Sequence, residues 1–188
     1  MPSTHKTQSA SNRSKTSTRR KKGALETTQT ITVRKAQLDD LDKLVALENT
    51  AFSYDQIGRR SFRYLLQRPS VHIWCAELTH KNAPGADDSA TIFAGYTIIL
   101  TRKNSRKWRV YSLATAPEAR GKGAAKALMN VVQNAAENNP NVSTVSLEVK
   151  CDNTGAIALY RNLGFEVVDV MPNYYSDGSD GYRLQISL

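Results

Sequence analysis

Trp108-Arg109-Val110-Tyr111-Ser112-Leu113-Ala114-Thr115, followed after Pro117 by Arg120-Gly121-Lys122-Gly123-Ala124-Ala125, decides how this chain folds. The first stretch is short and β-prone. Beyond Pro117, Ala124, Ala127, Leu128, Val131, Val132 and Ala135 fall at i, i+3, i+4, i+7, i+8 and i+11, the apolar stripe of a helix. Val145, Leu147 and Val149 then alternate with Ser146, Glu148 and Lys150, as in a strand with one buried and one polar face. Strand, helix and strand make a βαβ unit from Trp108 to Lys150, with parallel strands and a right-handed crossover.

Working outward, Ile31 to Lys35 reads as a strand, and Leu38, Leu41, Leu44, Val45 and Phe52 recur at helical spacing. Phe62, Leu65 and Leu66 predict a second helix stopped by Pro69, joined to the first by a loop over Ser53 to Gly58. Val71 to Leu78 and Thr91 to Leu100 read as a hairpin across a polar connection. Downstream, Ala156, Leu159, Tyr160 and Leu163 share a helix face that Gly164 ends, and Phe165 to Val170 and Tyr182 to Leu188 supply two closing strands. The expected fold is an α/β sandwich: a mixed, mostly antiparallel sheet around the central parallel βαβ unit, with helices on both faces.

The chain has 188 residues, enough for one domain with a hydrophobic core. Its formal net charge of +9 is concentrated at the start, where Lys6, Arg13, Lys15, Arg19, Arg20, Lys21 and Lys22 face Glu26 alone. Residues 1–29 also lack Val, Ile and aromatics, so they bury too little apolar surface to offset their ordering entropy. A disordered basic arm over 1–29 and a folded domain over 30–188 are expected. The arm has two readings: a contact for RNA, a ribosome or another acidic surface, or a solvated tail. No apolar stretch resembles a secretory signal or reaches the ~20 residues that cross a bilayer, so the expectation is a soluble, cytoplasmic monomer without a membrane role. Cys75 and Cys151 stand apart, without metal-ligand spacing to His5, His72 or His80, and no metal is expected.

The Arg120 to Ala125 segment follows a strand and opens a helix. Its small residues admit a ligand close to the backbone, and free N–H groups at the positive end of a helix favour a phosphate or diphosphate. A turn whose glycines serve only tight packing is the other reading. Two better-known glycine motifs do not fit: Gly123 is followed by Ala124 rather than the P-loop Lys, and Lys126 stands where the dinucleotide fingerprint needs a third Gly or Ala.

Arg120-x-x-Gly123-x-Ala125, Glu148-Val149-Lys150-Cys151-Asp152-Asn153 and Ala158-Leu159-Tyr160-Arg161-Asn162-Leu163-Gly164-Phe165, in that order, resemble the GNAT superfamily of N-acetyltransferases. Asn173-Tyr174-Tyr175-Ser176-Asp177-Gly178 is further similar to the ribosomal-protein alanine N-acetyltransferases and their protein N-terminal relatives. The resemblance implies acetyl-CoA as cosubstrate. It implies that Leu113, Ala114 and Thr115 offer backbone groups to the pantetheine and thioester. Arg120, Gly121, Lys122, Gly123, Ala124 and Ala125 would hold the diphosphate, and Asn153 the pantetheine arm. Asn153 also reads simply as a helix N-cap, and the two roles are compatible.

Acetylating an amine needs a neutral nucleophile, a stabilised oxyanion and a proton for the departing thiolate. Glu148 lies on the polar face of its strand near the carboxyl end, where α/β sheets bind ligands, and is the candidate base, directly or through water. An ordinary exposed carboxylate is the other reading. Tyr160 falls on the inward helix face with Ala156 and Leu163; the resemblance makes it the general acid, while packing alone also accounts for it. An α-amine has a reference pKa near ~7.8 against ~10.4 for lysine, about 3.5 kcal/mol easier to deprotonate, which favours a protein or peptide N-terminus as acceptor. Tyr54, Tyr174 and Tyr175 are candidates to flank its first residues, or else surface aromatics packing the loops. A small amine such as a polyamine or aminoglycoside, and a non-catalytic acetyl-CoA-binding module tethered to RNA, stay open as alternatives.

Overall fold

The computed structural model describes residues 28–53, 55–81 and 90–188. Tyr54 and the basic segment over 1–27 lie outside them. Seven strands form one sheet: β1 (Thr28–Lys35), β2 (Val71–Lys81), β3 (Ala90–Leu100), β4 (Lys107–Thr115), β5 (Thr144–Lys150), β6 (Glu166–Met171) and β7 (Gly181–Ser187). Their order is β1-β2-β3-β4-β5-β7-β6, and every neighbouring pair is antiparallel except β4 and β5. The helices are α1 (Leu41–Ala51), preceded by a 3-10 turn, α2 (Arg59–Leu66), α3 (Ala124–Glu137) and α4 (Thr154–Asn162). None of the described helices is long and apolar enough to cross a membrane.

Helices cover both faces of the sheet, and two adjacent residues of β3 prove it. Tyr96 reaches Glu48 on α1 with its hydroxyl, whereas a Cβ on Gly95 would point at Leu128 on α3, 3.3 Å away. Successive strand residues face opposite ways, so α1 and α3 lie on opposite sides. On the α3 side Leu128, Met129 and Val132 pack with Trp108, Val145, Leu147 and Leu184, all buried. The buried stripe keeps Ala124, Leu128 and Val132 of the expected set but adds Met129 and Ala136, while Ala127, Val131 and Ala135 are only half-buried.

The expected βαβ unit is present, with α3 between the parallel strands β4 and β5. The register adds two features. Between Ile98 and Ile99 of β3 the pairing shifts, leaving Tyr111 of β4 as an extra residue. And β4 pairs with β5 only from Lys107 to Val110, against Thr144 to Leu147. Past that point β4 pairs only with β3, while Glu148, Val149 and Lys150 pair only with β7. The strands therefore part, and a wedge opens between their carboxyl ends.

β1 starts at Thr28, and the basic segment over 1–27 lies outside the described residues. One expectation needs correction. The expected polar face of β5 is not solvated throughout: Ser146 is 3% exposed and its hydroxyl is directed at Trp108 O at 3.4 Å.

Candidate active site

The wedge has backbone groups to offer. Ala116 N donates to Ala94 O at 2.9 Å, and Ala114 pairs with Tyr96, so alternation turns the N–H and C=O of Leu113 and Thr115 away from β3 and toward the gap. Further on, Gly121 (φ 71°) and Gly123 (φ 89°) take left-handed conformations that side chains disfavour. Gly123 is the residue preceding α3, and no side chain caps that helix. The first N–H groups of α3, at Ala124, Ala125 and Lys126, thus have no intrahelical acceptor. A Cβ on Gly121 would meet nothing within 4 Å, so the turn is open on its outer side. Uncapped amides, an open approach and the exposed cations Arg120 and Lys122 fit a diphosphate.

Across the gap, Glu148 is partnered. Arg109 of β4 donates from Nε to its Oε2 at 2.7 Å, and Nε of Arg183 on β7 lies 3.5 Å from Oε1. The carboxylate side chain is 11% exposed, so it is not the ordinary exposed strand carboxylate. The register accounts for the cluster: Arg109 pairs with Ser146, one step diagonally from Glu148, and Arg183 is directly opposite Glu148. Arg109 also donates from Nη2 to the Tyr174 hydroxyl at 3.2 Å, and its guanidinium carbon is 5.9 Å from the centre of the Tyr111 ring. Burial opposes the charge on Arg109, but the bond to Glu148 and its charge raise the guanidinium pKa overall.

Tyr160 on α4 is 7% exposed and packs against Phe165 with ring centres 5.9 Å apart. Burial, with a smaller contribution from Tyr175, pushes its phenol well above the usual value, so it stays protonated. Tyr175 is itself pushed up to about 12, first by burial and then by Tyr174 and Glu148. Tyr174 and Tyr175 meet edge to face at 5.1 Å, and Lys150 Nζ lies 5.2 Å from the Tyr175 ring centre. Asn153 caps α4, its Oδ1 accepting from Ala156 N at 3.1 Å. Of the sequence-derived candidates, Glu148 and Tyr174 are joined through Arg109, Tyr175 packs on Tyr174, and Tyr160 feels Tyr175. The Arg120 to Ala125 turn and Asn153 stand at the N-termini of α3 and α4, and Tyr54 lies outside the described residues.

Three participants were not singled out from sequence. Arg109 and Arg183 needed the strand register, which the alternation pattern does not specify across strands. Glu48 is 2% exposed on α1, accepts Ile57 N at 2.8 Å through Oε1 and takes the Tyr96 hydroxyl on Oε2. Tyr96 is also 3.2 Å from Ser112 Oγ. The only sequence signal was a Glu on the apolar side of a helix. Beside this anchor, Ser176 Oγ donates to Asp55 Oδ2 at 3.1 Å, bridging the α1–α2 and β6–β7 segments. A cleft of about 560 Å³ adjoins them, lined by Asp55, Gln56, Arg60, Tyr64, Leu100 and Tyr111.

The acetyltransferase (GNAT) family matches residues 40–165, well over half of the chain. The chain belongs to the GNAT family. An N-alpha-acetyltransferase of Saccharolobus solfataricus is 42% identical over 79 residues, which cover 42% of this chain and 47% of that protein. The chain thus spans about half the length of this relative. Arabidopsis thaliana NAA60, solved in complex with acetyl-CoA, has a TM-score of 0.71 at 20% identity, covering 85% of this chain and 99% of that one. The ribosomal-protein alanine N-acetyltransferase of Escherichia coli has a TM-score of 0.68 at 22% identity, covering 84% and 94%. At those identities the two structures share the GNAT fold with this chain.

Proposed function

We propose that this protein is an N-acetyltransferase that uses acetyl-CoA to acetylate the N-terminal α-amine of a protein or peptide, a ribosomal protein being the acceptor class its resemblance favours. The observation that carries the reading is the parting of β4 from β5 after Val110 together with the uncapped N-terminus of α3, the helix that follows β4, in a chain of the GNAT family. Acetyl-CoA supplies an activated acyl group as its thioester. The first amides of α3, with Arg120 and Lys122, hold its diphosphate, and Leu113 and Thr115 offer backbone groups along the wedge. Asn153 contributes its side-chain amide N–H to the pantetheine arm while its oxygen caps α4.

Glu148 receives the amine proton through water, since both its oxygens already have guanidinium partners. An α-amine suits such a base, because a substantial minority of it is already neutral at pH 7. Tyr160, kept protonated by burial, gives its proton to the leaving thiolate. Tyr174 and Tyr175 flank the incoming peptide opposite the Asp55 segment, and Tyr54 belongs to that same segment by position. The neighbouring cleft is lined by Arg60 as well as Asp55, a mixed charge that suits a peptide better than a polycationic amine.

The test is free-thiol release from acetyl-CoA against peptides with varied first residues. Release with free N-termini and its absence with N-terminally blocked, lysine-containing controls is expected. Equal release from the blocked controls would move the activity to lysine, and no release from any peptide would leave the small-amine alternative standing in its place.

A further inference from the structure

At the opposite end of the sheet from the α3 N-terminus, where β2 and β4 begin and β3 ends, lies a groove of about 670 Å³. Its size falls within the range of about 300–1,000 Å³ typical of ligand sites. His72 and Trp108 line it, with rings 5.5 Å apart. Arg102, Lys103 and Arg106 contribute from the β3–β4 turn. The groove is held in shape by backbone bonds: Ser105 N donates to Arg102 O at 3.1 Å, and Ser143 N donates to Arg106 O at 2.8 Å, tying the β3–β4 turn to the α3–β5 turn.

Three observations define what the groove suits. Among the described residues, Arg102, Lys103 and Arg106 take part in no ion pair, and the described lining includes no Asp or Glu. The remaining lining is mostly amide and hydroxyl, with Asn104 and Asn141 on either side, and the one indole present is buried. The surface is concave. Three cations with amides and hydroxyls beside them match a chain that carries one charge per nucleotide with hydrogen-bonding groups between, which an apolar membrane surface lacks. A concave wall receives a strand but puts nothing into the groove of a duplex. Amide oxygens accept from a ribose 2′-hydroxyl, which DNA does not have.

We propose that this groove binds a single strand of RNA, with phosphates on Arg102, Lys103 and Arg106, apart from the acetyl-transfer site and independently of the N-terminal basic segment. The full-length protein is titrated into a labelled 12-nucleotide oligouridylate at several salt concentrations, followed by anisotropy. Replacing Arg102→Ala, Lys103→Ala and Arg106→Ala together is expected to weaken binding at least tenfold at low salt. The salt slope should fall by about 2, the change for three phosphate contacts on a single strand. Acetyl-CoA consumption by the same variant should be unchanged, which shows that it is folded. A second full-length variant, with Arg19, Arg20, Lys21 and Lys22 changed to Ser, tests the arm. No binding by the parent protein, an unchanged curve for the groove variant, loss confined to the arm variant, or equal binding of the deoxy oligomer overturns the proposal.

Discussion

Arg109 Nε sits 2.7 Å from Glu148 Oε2, joining β4 to β5 at the first β5 residue past their last hydrogen-bonded pair. Where the backbone ladder stops, a side-chain pair takes over and spans the mouth of the wedge. The guanidinium also reaches Tyr174, so one side chain connects three parts of the site. Arg109 is thus a positioning residue for Glu148 in the proposed reaction. Changing Arg109→Met should lower turnover about tenfold, with the KM for acetyl-CoA altered by less than about twofold, since Arg109 does not face the α3 turn. Arg109→Lys keeps the charge and loses the planar fork, so it should recover only part of the loss. Stability should change by no more than about 1 kcal/mol, because the Arg109 side chain is 40% exposed and Arg183 remains beside Glu148. Steady-state kinetics and urea unfolding separate these effects; unchanged turnover in both variants removes the positioning role.

Tyr160 gives a prediction on two axes. Tyr160→Phe removes the proposed proton donor and keeps the ring packed on Phe165, so turnover should drop on the order of 10²-fold while the fold is retained. The phenol is also raised by burial, as is Tyr96, where burial is followed by the bond to Glu48. A raised tyrosine contributes stability that is fully present below its unfolded value near ~10 and is lost as pH rises beyond it, because the folded protein must keep a proton that the unfolded chain releases. Unfolding free energy should therefore fall above pH ~10, by about 1.4 kcal/mol per pH unit for each such tyrosine. The Tyr160→Phe variant should fall less steeply. Identical slopes for the two proteins in urea titrations from pH 8 to 11 would contradict burial of an un-ionised Tyr160.

Gly95 lies where β3 runs beside the wedge-lining end of β4. A Cβ there would be 2.6 Å from Ala114 O, a backbone atom that yields only by moving the strand, and 3.3 Å from Leu128. Gly95→Ala should cost about 1–3 kcal/mol, the usual range for overpacking. It should also raise the KM for acetyl-CoA, since the displaced strand carries Leu113 and Thr115. Gly58→Ala is the control, as a Cβ at Gly58 meets nothing within 4 Å. Equal unfolding midpoints for the two variants would show that the strands accommodate the methyl without shifting.

The parts of this architecture legible in the sequence are those governed by local periodicity. The α3 stripe from Ala124 to Ala135, the alternation in Val145 to Lys150 and the stop at Gly164 (φ 87°) each express one element's geometry. The resemblance added the motif residues Asn153, Tyr160 and Tyr174–Tyr175, which local periodicity alone does not single out. What stayed hidden depends on strand register and on contacts across elements. Tyr111 as an extra residue, the parting of β4 from β5 after Val110, and the two guanidiniums on Glu148 all follow from which residues stand opposite each other. A one-residue slip in the β5–β7 pairing would send Arg183 to the other face. The burial of Ser146 was missed for the same reason: alternation tells which residues share a face, not what covers it.

Glu48 links the core to the proposed acceptor side. Its carboxylate is enclosed, with one oxygen taking the Ile57 amide and the other the Tyr96 hydroxyl, so α1 holds the far end of the segment that carries Asp55. Asp55 in turn takes the Ser176 hydroxyl of the β6–β7 segment. Glu48→Gln keeps the shape but replaces one acceptor oxygen with a donor, facing either the Ile57 N–H or the Tyr96 hydroxyl. The tyrosine can rotate its proton toward Ser112 and accept instead, so the amide should settle with its oxygen on Ile57. The cost should then lie near the lower end of about 1–3 kcal/mol, whereas Glu48→Leu, which strands the Ile57 amide, should reach the upper end or beyond. Because the α1–α2 segment borders the acceptor cleft and not the α3 turn, Glu48→Leu should raise the KM for the peptide several-fold and leave that for acetyl-CoA nearly constant. Parallel changes in both constants would mean that Glu48 supports the whole domain rather than the acceptor side.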